Sequence, residues 1–256
     1  MVRAALGVVA LVVLTGCAGE DSPALEGPVP TAESTTTSPA SSTSSTEPDT
    51  TPPPSCPKIF PGAGNPEQVD RPADVDGDGR ADTVSSFRAQ GDPGERYVLQ
   101  VSLAAGGGAT TDIPADDGEA SVAVLAGTAV DPHDPRQVLW VRIGSGAATT
   151  IVGAYHLDGC DLVAATFSNG DPVELPIGGT VGTVTGAACG SLADPDADLL
   201  VYEATRLADE RYEVVTTEYR WEDGTFTESP ASAPTVSDTD DPAALGHFAC
   251  GGDPML

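Results

Sequence analysis

Residues 74–85 read D-V-D-G-D-G-R-A-D-T-V-S. Asp74, Asp76 and Asp78 alternate with small residues, Gly77 and Gly79 permit a sharp turn, and the chain becomes apolar at Val84. A polar turn that runs straight into β-branched residues predicts a loop delivering the chain into a strand. The following segments continue in the same manner. Y-V-L-Q-V-S-L (97–103), S-V-A-V-L-A-G-T-A-V (121–130), Q-V-L-W-V-R-I (137–143), T-I-V-G-A-Y-H-L (150–157), L-L-V-Y-E-A (199–204) and Y-E-V-V-T-T-E-Y-R-W (212–221) are rich in β-branched and aromatic residues. Several alternate apolar with polar positions, as half-buried strands do. D-P-G, G-G-G, L-D-G-C, S-N-G-D and E-D-G punctuate them as turns. Helical periodicity is weak and confined to D-D-P-A-A-L-G-H-F, near 240–248. The expected fold class is all-β.

The order acidic loop, strand, turn, strand recurs. A-V-D-P-H-D-P-R-Q-V-L-W-V-R-I-G begins at Ala129 and S-L-A-D-P-D-A-D-L-L-V-Y-E-A at Ser191. The loop starts, Asp74, Asp131 and Asp194, are spaced by about 60 residues, close to the longer propeller-blade periods. Apolar residues follow each loop in register: Val84, then Val138 and Leu139, then Leu199 and Leu200. The first copy resembles the FG-GAP and VCBS-type repeats of integrin-like β-propellers, whose signature is D-x-D-x-D-G-x-x-D before an apolar strand. Residues 74–84 match throughout; the other two units match in outline. The resemblance implies antiparallel, blade-like units over residues 57–256, starting near 74, 131 and 194. Three units fall short of the four to eight blades of a usual propeller, which points to a partial, open or sandwich-like variant.

The loop is also the candidate metal site. Calcium takes about 6–8 oxygens in flexible geometry, which suits carboxylates on one tight turn. Asp74, Asp76 and Asp78 stand at positions 1, 3 and 5, Gly79 at the turn, the Arg80 backbone carbonyl at 7 and Asp82 at 9. Ser85 occupies the place of the bidentate glutamate of an EF-hand and no helices flank the loop, so this would be a β-framed site. A metal-free D-G-D-G turn is the alternative, but four adjacent carboxylates repel one another without a cation. A structural Ca²⁺ is therefore expected here. Asp131, His133 and Asp134 of the second loop and Asp194, Asp196 and Asp198 of the third lack the glycines and read as solvated turns.

Outside the repeats, Arg3 precedes an apolar run from Ala4 to Leu14, too short to span a bilayer and sized for the core of a secretory signal. It ends in Leu14-Thr15-Gly16-Cys17, which resembles the lipobox of bacterial lipoproteins. That resemblance implies a signal over 1–16, acylation of Cys17 and anchorage to the outer face of the cell membrane by acyl chains such as palmitate. Residues 17–56 form a Ser/Thr/Pro-rich tether with almost no large apolar side chain. Eleven basic against 39 acidic residues give a formal charge of −28, which excludes nucleic acid and anionic lipid surfaces as partners. The other cysteines, Cys56, Cys160, Cys189 and Cys250, suit two disulfides in an exported domain, and no C-x-x-C pair suggests metal. Cys160–Cys189 would close a local loop and Cys56–Cys250 would tie the ends of the domain.

Signatures of catalysis are sparse. No G-x-S-x-G, H-E-x-x-H or P-loop occurs, and His133, His156 and His247 sit in a turn, at a strand end and near the C-terminus. I-G-S-G-A (143–147) reads as a hairpin turn and G-G-T-V-G-T-V-T-G (178–186) as strand. Trp140 and Trp221 lie in strand patterns suited to packing, or to stacking on sugars. The sequence thus points to a non-enzymatic, calcium-stabilised binding or structural module with a protein or glycan partner. Its rival is a cell-wall hydrolase, or an accessory subunit of an envelope enzyme, whose carboxylates assemble only in space.

Overall fold

The computed structural model describes residues 56–59, 68–90, 95–114, 123–129, 134–190, 192, 197–208, 211–230, 235–239, 241 and 245–250. The signal, Cys17, the tether up to residue 55, Asp131, His133, Asp194 and Asp196 lie outside them. The described chain is all-β. Phe248, the last residue of the one weakly helical stretch of the sequence, lies with Ala249 in a strand.

Three four-stranded antiparallel meanders follow one another. The first comprises β1 (Val69–Ala73), β2 (Asp82–Gln90), β3 (Glu95–Ser102) and β4 (Gly108–Ile113), paired in chain order. The second runs through β5 (Ala123–Ala129), β6 (Gln137–Ser145), β7 (Thr149–Asp158) and β8 (Asp161–Ala164). After β9 (Thr166–Phe167) and β10 (Glu174–Gly179), the third comprises β11 (Thr183–Cys189), β12 (Leu199–Arg206), β13 (Tyr212–Glu222) and β14 (Thr225–Glu228). β15 (Thr235–Thr239) and β16 (Phe248–Ala249) complete the chain. In every meander the acidic stretch connects the first strand to the second.

The third strands of the second and third meanders behave alike. β7 pairs with β10 over Thr149–Gly153 and with β8 over Tyr155–Asp158. β13 pairs with β15 over Tyr212–Thr216 and with β14 over Tyr219–Glu222. β10 pairs with β7 on one side and β11 on the other, joining the last two meanders into one sheet, to which β9 adds in parallel at β14 and β16 in parallel at β11.

The middle meander is buried on both faces. Leu139, Val141, Ile143, Tyr155 and Leu157 pack with Val75, Val84, Leu99 and Val101 of the first meander. Val138, Trp140, Val152 and Ala154, one residue out of phase, pack with Leu199, Phe226 and Phe248. This is why β6 reads as a continuous apolar run: alternate side chains serve opposite cores. Trp140 is fully buried, with Phe248 edge-on at 5.2 Å and Phe226 stacked at 6.0 Å, so it is a core residue. Each such side chain contributes about 1.5–3 kcal/mol of hydrophobic stabilisation.

The disulfides differ from the expected pairing. Cys56 joins Cys160 and Cys189 joins Cys250, with Cα separations of 5.3 and 4.8 Å. Strand addition rather than nearness in sequence selects these partners. Pro57 O accepts the Gly108 N–H and lays the Cys56 segment along β4, whose neighbour β8 begins next to Cys160. β16 lies against Ala187 and Ala188 of β11 and delivers Cys250 to Cys189. The bonds span 104 and 61 residues, so each removes roughly 4–5 kcal/mol of unfolded-chain freedom in the loop-entropy account.

Candidate functional site

The loop between β1 and β2 is folded by its own carboxylates. Asp74 Oδ2 accepts the Gly79 N–H at 2.9 Å, Asp76 Oδ1 that of Asp78 at 3.1 Å, and Asp78 Oδ1 that of Arg80 at 2.8 Å. Gly77 and Gly79 take left-handed φ of 76° and 81°, which lets the chain reverse between these bonds. The three carboxylates therefore converge: Asp74, Asp76 and Asp78 each offer an oxygen within 4.8 Å of the others. Asp74 Oδ1 is sealed from solvent and accepts no hydrogen bond. An ionised oxygen so placed is costly without a positive partner. Burial first, with repulsion from Asp82, Asp78 and Asp74, raises the Asp76 carboxyl above its ordinary range despite the Asp78 N–H that it accepts. Three inward carboxylates with one orphaned oxygen form a donor set fit for a hard divalent cation.

Asp82 stands apart from that cluster. It is 2% exposed, and its Oδ2 and Oδ1 accept the Val75 and Ala104 N–H groups, both at 2.8 Å. It straps the loop to the end of β3. The Arg80 side chain reaches Ala104 O at 2.6 Å and lies 3.8 Å from Asp78. Asp198, just before β12, repeats the strap by accepting the Trp221 N–H at 2.7 Å.

The loop is fastened to the second meander. Asp74 N donates to Gln137 Oε1 at 3.0 Å and Gln137 N donates to Asp74 O at 2.9 Å. A Cβ on Gly77 would stand 2.9 Å from Pro135 Cγ, so the contact needs glycine. Arg136 and Gln137 then line a cleft of about 220 Å³ with Val138, His156, Asp158, Trp221 and Asp223. The cleft opens between the second and third meanders. Arg136 grips Asp134 through Nε at 2.9 Å and Nη2 at 2.6 Å, and this hydrogen bonding holds the Asp134 carboxyl below the usual carboxylate range. His156 meets the Trp221 ring edge-to-face, centroids 5.4 Å apart, and Trp221 rests on Phe226 at 4.8 Å. Burial, the largest influence, lowers the His156 pKa; the Asp158 charge opposes it. Gly224 closes the wall with φ of 89°, where a Cβ would come within 2.4 Å of His156 Nε2.

Of the sequence-derived site residues, Asp74, Asp76 and Asp78 come together, Asp82 serves as a strap, and Asp134 pairs with Arg136 rather than with other carboxylates. His247 lies apart, its carbonyl bonded to the Ala187 N–H. The cleft itself was invisible in sequence, because its members come from β6, β7, the β13–β14 turn and the residues before β6. Its local signals were Trp221, suited to packing or stacking, and the adjacent E-D-G turn at 222–224. No family model, curated protein or solved structure matches the chain.

Proposed function

We propose that the domain is a calcium-stabilised binding module of blade-like repeats, similar to FG-GAP and VCBS units, held at the outer face of a bacterial cell membrane by acyl chains on Cys17. The observation that carries this reading is the β1–β2 loop, with its three converging carboxylates and the buried, unpartnered Asp74 Oδ1. Asp74, Asp76 and Asp78 would hold the ion by their side chains and Arg80 by its backbone carbonyl. The ion would neutralise their repulsion and lock the corner between β1 and β2. The meanders support the repeat reading, since each places its acidic stretch between its first and second strands. The lipobox, the tether and the charge of −28 support an exported, anchored protein that meets protein or glycan partners and not nucleic acid.

Thermal unfolding with calcium or chelator tests the metal. An extracellular-type affinity of about 10⁻⁴–10⁻³ M gives a stabilisation of about 1.4–2.7 kcal/mol in ~10 mM calcium. That corresponds to a rise of roughly 3–10 °C for a domain of this size. Asp74→Asn/Asp76→Asn should abolish the rise. Equal midpoints for the wild type in calcium and in chelator would overturn the reading. For the anchor, Cys17→Ala should move the protein from the membrane to the soluble fraction with loss of the acyl mass; a Cys17→Ala protein that stays membrane-bound refutes it.

A further inference from the structure

The cleft between the second and third meanders has a chemistry separate from that of the loop. Its aromatic wall is rigid: Trp221 is backed by Phe226, edged by His156 and tied through its backbone to Asp198. Its charges do not cancel. Asp134, Asp158 and Asp223 face one guanidinium, Arg136, which Asp134 occupies through Nε and Nη2. Asp223, with its side chain 92% exposed, meets Arg136 only at 4.0 Å, and Asp158 has no ion pair among the described residues. Burial disfavours the charged form of the His156 imidazole, against the pull of the Asp158 charge. The cleft is thus net negative beside an indole, and an anionic ligand is excluded. A bare metal ion is also a poor occupant, since the one convergent cluster of ligating groups among the described residues is Asp74, Asp76 and Asp78.

We infer that the cleft binds an organic cation, the alkylammonium or guanidinium end of a lysine or arginine side chain, against Trp221 with Asp158 and Asp223 as counter-charges. A volume of about 220 Å³ admits one such side chain. The indole attracts a diffuse cation through its ring quadrupole, and two carboxylates fix its N–H groups. The inference rests on the domain being a binding module and specifies what that module takes, a basic protein segment.

The test titrates N-acetylarginine methylamide into the full chain, following Trp221 fluorescence and ¹H–¹⁵N shifts. N-acetylcitrulline methylamide serves as the neutral isostere and methyl glucoside as the sugar. The arginine and N-acetyllysine methylamide probes should bind with shifts mapping to Trp221, Asp158 and Gly224. The citrulline probe should bind at least tenfold more weakly. Asp158→Asn/Asp223→Asn should weaken the arginine probe at least tenfold; asparagine tolerates the left-handed φ of 44° at residue 223. Equal binding of the arginine and citrulline probes, preference for the glucoside, or shifts confined to residues outside the cleft would overturn the proposal. The calcium-dependent rise in melting temperature is read on the same samples. A retained rise with no arginine binding refutes the cleft assignment alone, whereas loss of the rise refutes the calcium reading.

Discussion

Asp82→Ala separates a strap from a ligand. The side chain is 2% exposed and accepts two backbone N–H groups, from Val75 and Ala104, each at 2.8 Å. Alanine leaves both donors without an acceptor, one of them on a residue with no exposed surface, Val75. Each stranded group costs about 1–3 kcal/mol, and bonds to a charged acceptor fall in the upper half of that range. Relief of repulsion with Asp76 returns a fraction of this. The net loss is about 3–5 kcal/mol, a fall of roughly 6–20 °C in melting temperature. Asp82→Asn keeps one carbonyl oxygen but points an NH₂ at the other N–H, so it should lose about half as much. Circular dichroism melts in chelator and in calcium decide the matter. A strap gives the same deficit in both media and leaves the calcium increment near its wild-type size. A variant within about 1 kcal/mol of wild type in chelator but unresponsive to calcium would make Asp82 a ligand and refute the reasoning.

Other outcomes follow from the same geometry. Burial lowers the His156 pKa, so the unfolded chain takes up the proton first and stability falls as pH drops below about 6.5. Asp76, shifted upward, acts in the opposite sense, so melts between about pH 7.5 and 5.5 should compare slopes, and His156→Gln should flatten the wild-type decline. Gly224→Ala meets both a left-handed φ of 89° and His156 Nε2 at 2.4 Å. It should cost about 2–3 kcal/mol in urea unfolding, with part of the loss recovered in Gly224→Ala/His156→Ala. An additive double variant argues against the contact. Peptide mapping without reductant should find Cys56 with Cys160 and Cys189 with Cys250, and Cys189→Ser/Cys250→Ser should lose about 4 kcal/mol. Recovery of a Cys160–Cys189 peptide would refute this pairing.

Much of the strand content was legible because the relevant signals are local. Alternation and β-branching marked β3, β6, β7, β12 and β13, and the glycines of 77–79 marked the loop that bends on its own carboxylates. What stayed hidden depends on contacts across the sheets. The disulfide partners follow from β16 adding beside β11 and from the Cys56 segment lying along β4, neither of which leaves a trace in spacing. The cleft is hidden for the same reason. His156 and Trp221 belong to strands of different meanders and meet only when those meanders pack, which half-buries a histidine whose sequence position showed only a strand end.

The two straps occupy corresponding places in the first and third meanders. Asp82 at the start of β2 accepts the Ala104 N–H just past β3, and Asp198 just before β12 accepts the Trp221 N–H at the end of β13. In both meanders a buried carboxylate at the entry of the second strand pins the exit of the third, fixing the angle at which the hairpin leaves the loop. That task needs one acidic residue and no glycine. A cluster of three carboxylates on a turn with left-handed glycines is, among the described residues, found only in the β1–β2 loop. Strap and cluster are therefore separable: the third meander has the strap without an alternating Asp–Gly turn. In the third meander the strap has a further consequence, because it holds Trp221 at the wall of the cleft. Asp198 thereby positions the aromatic surface on which the cleft is built.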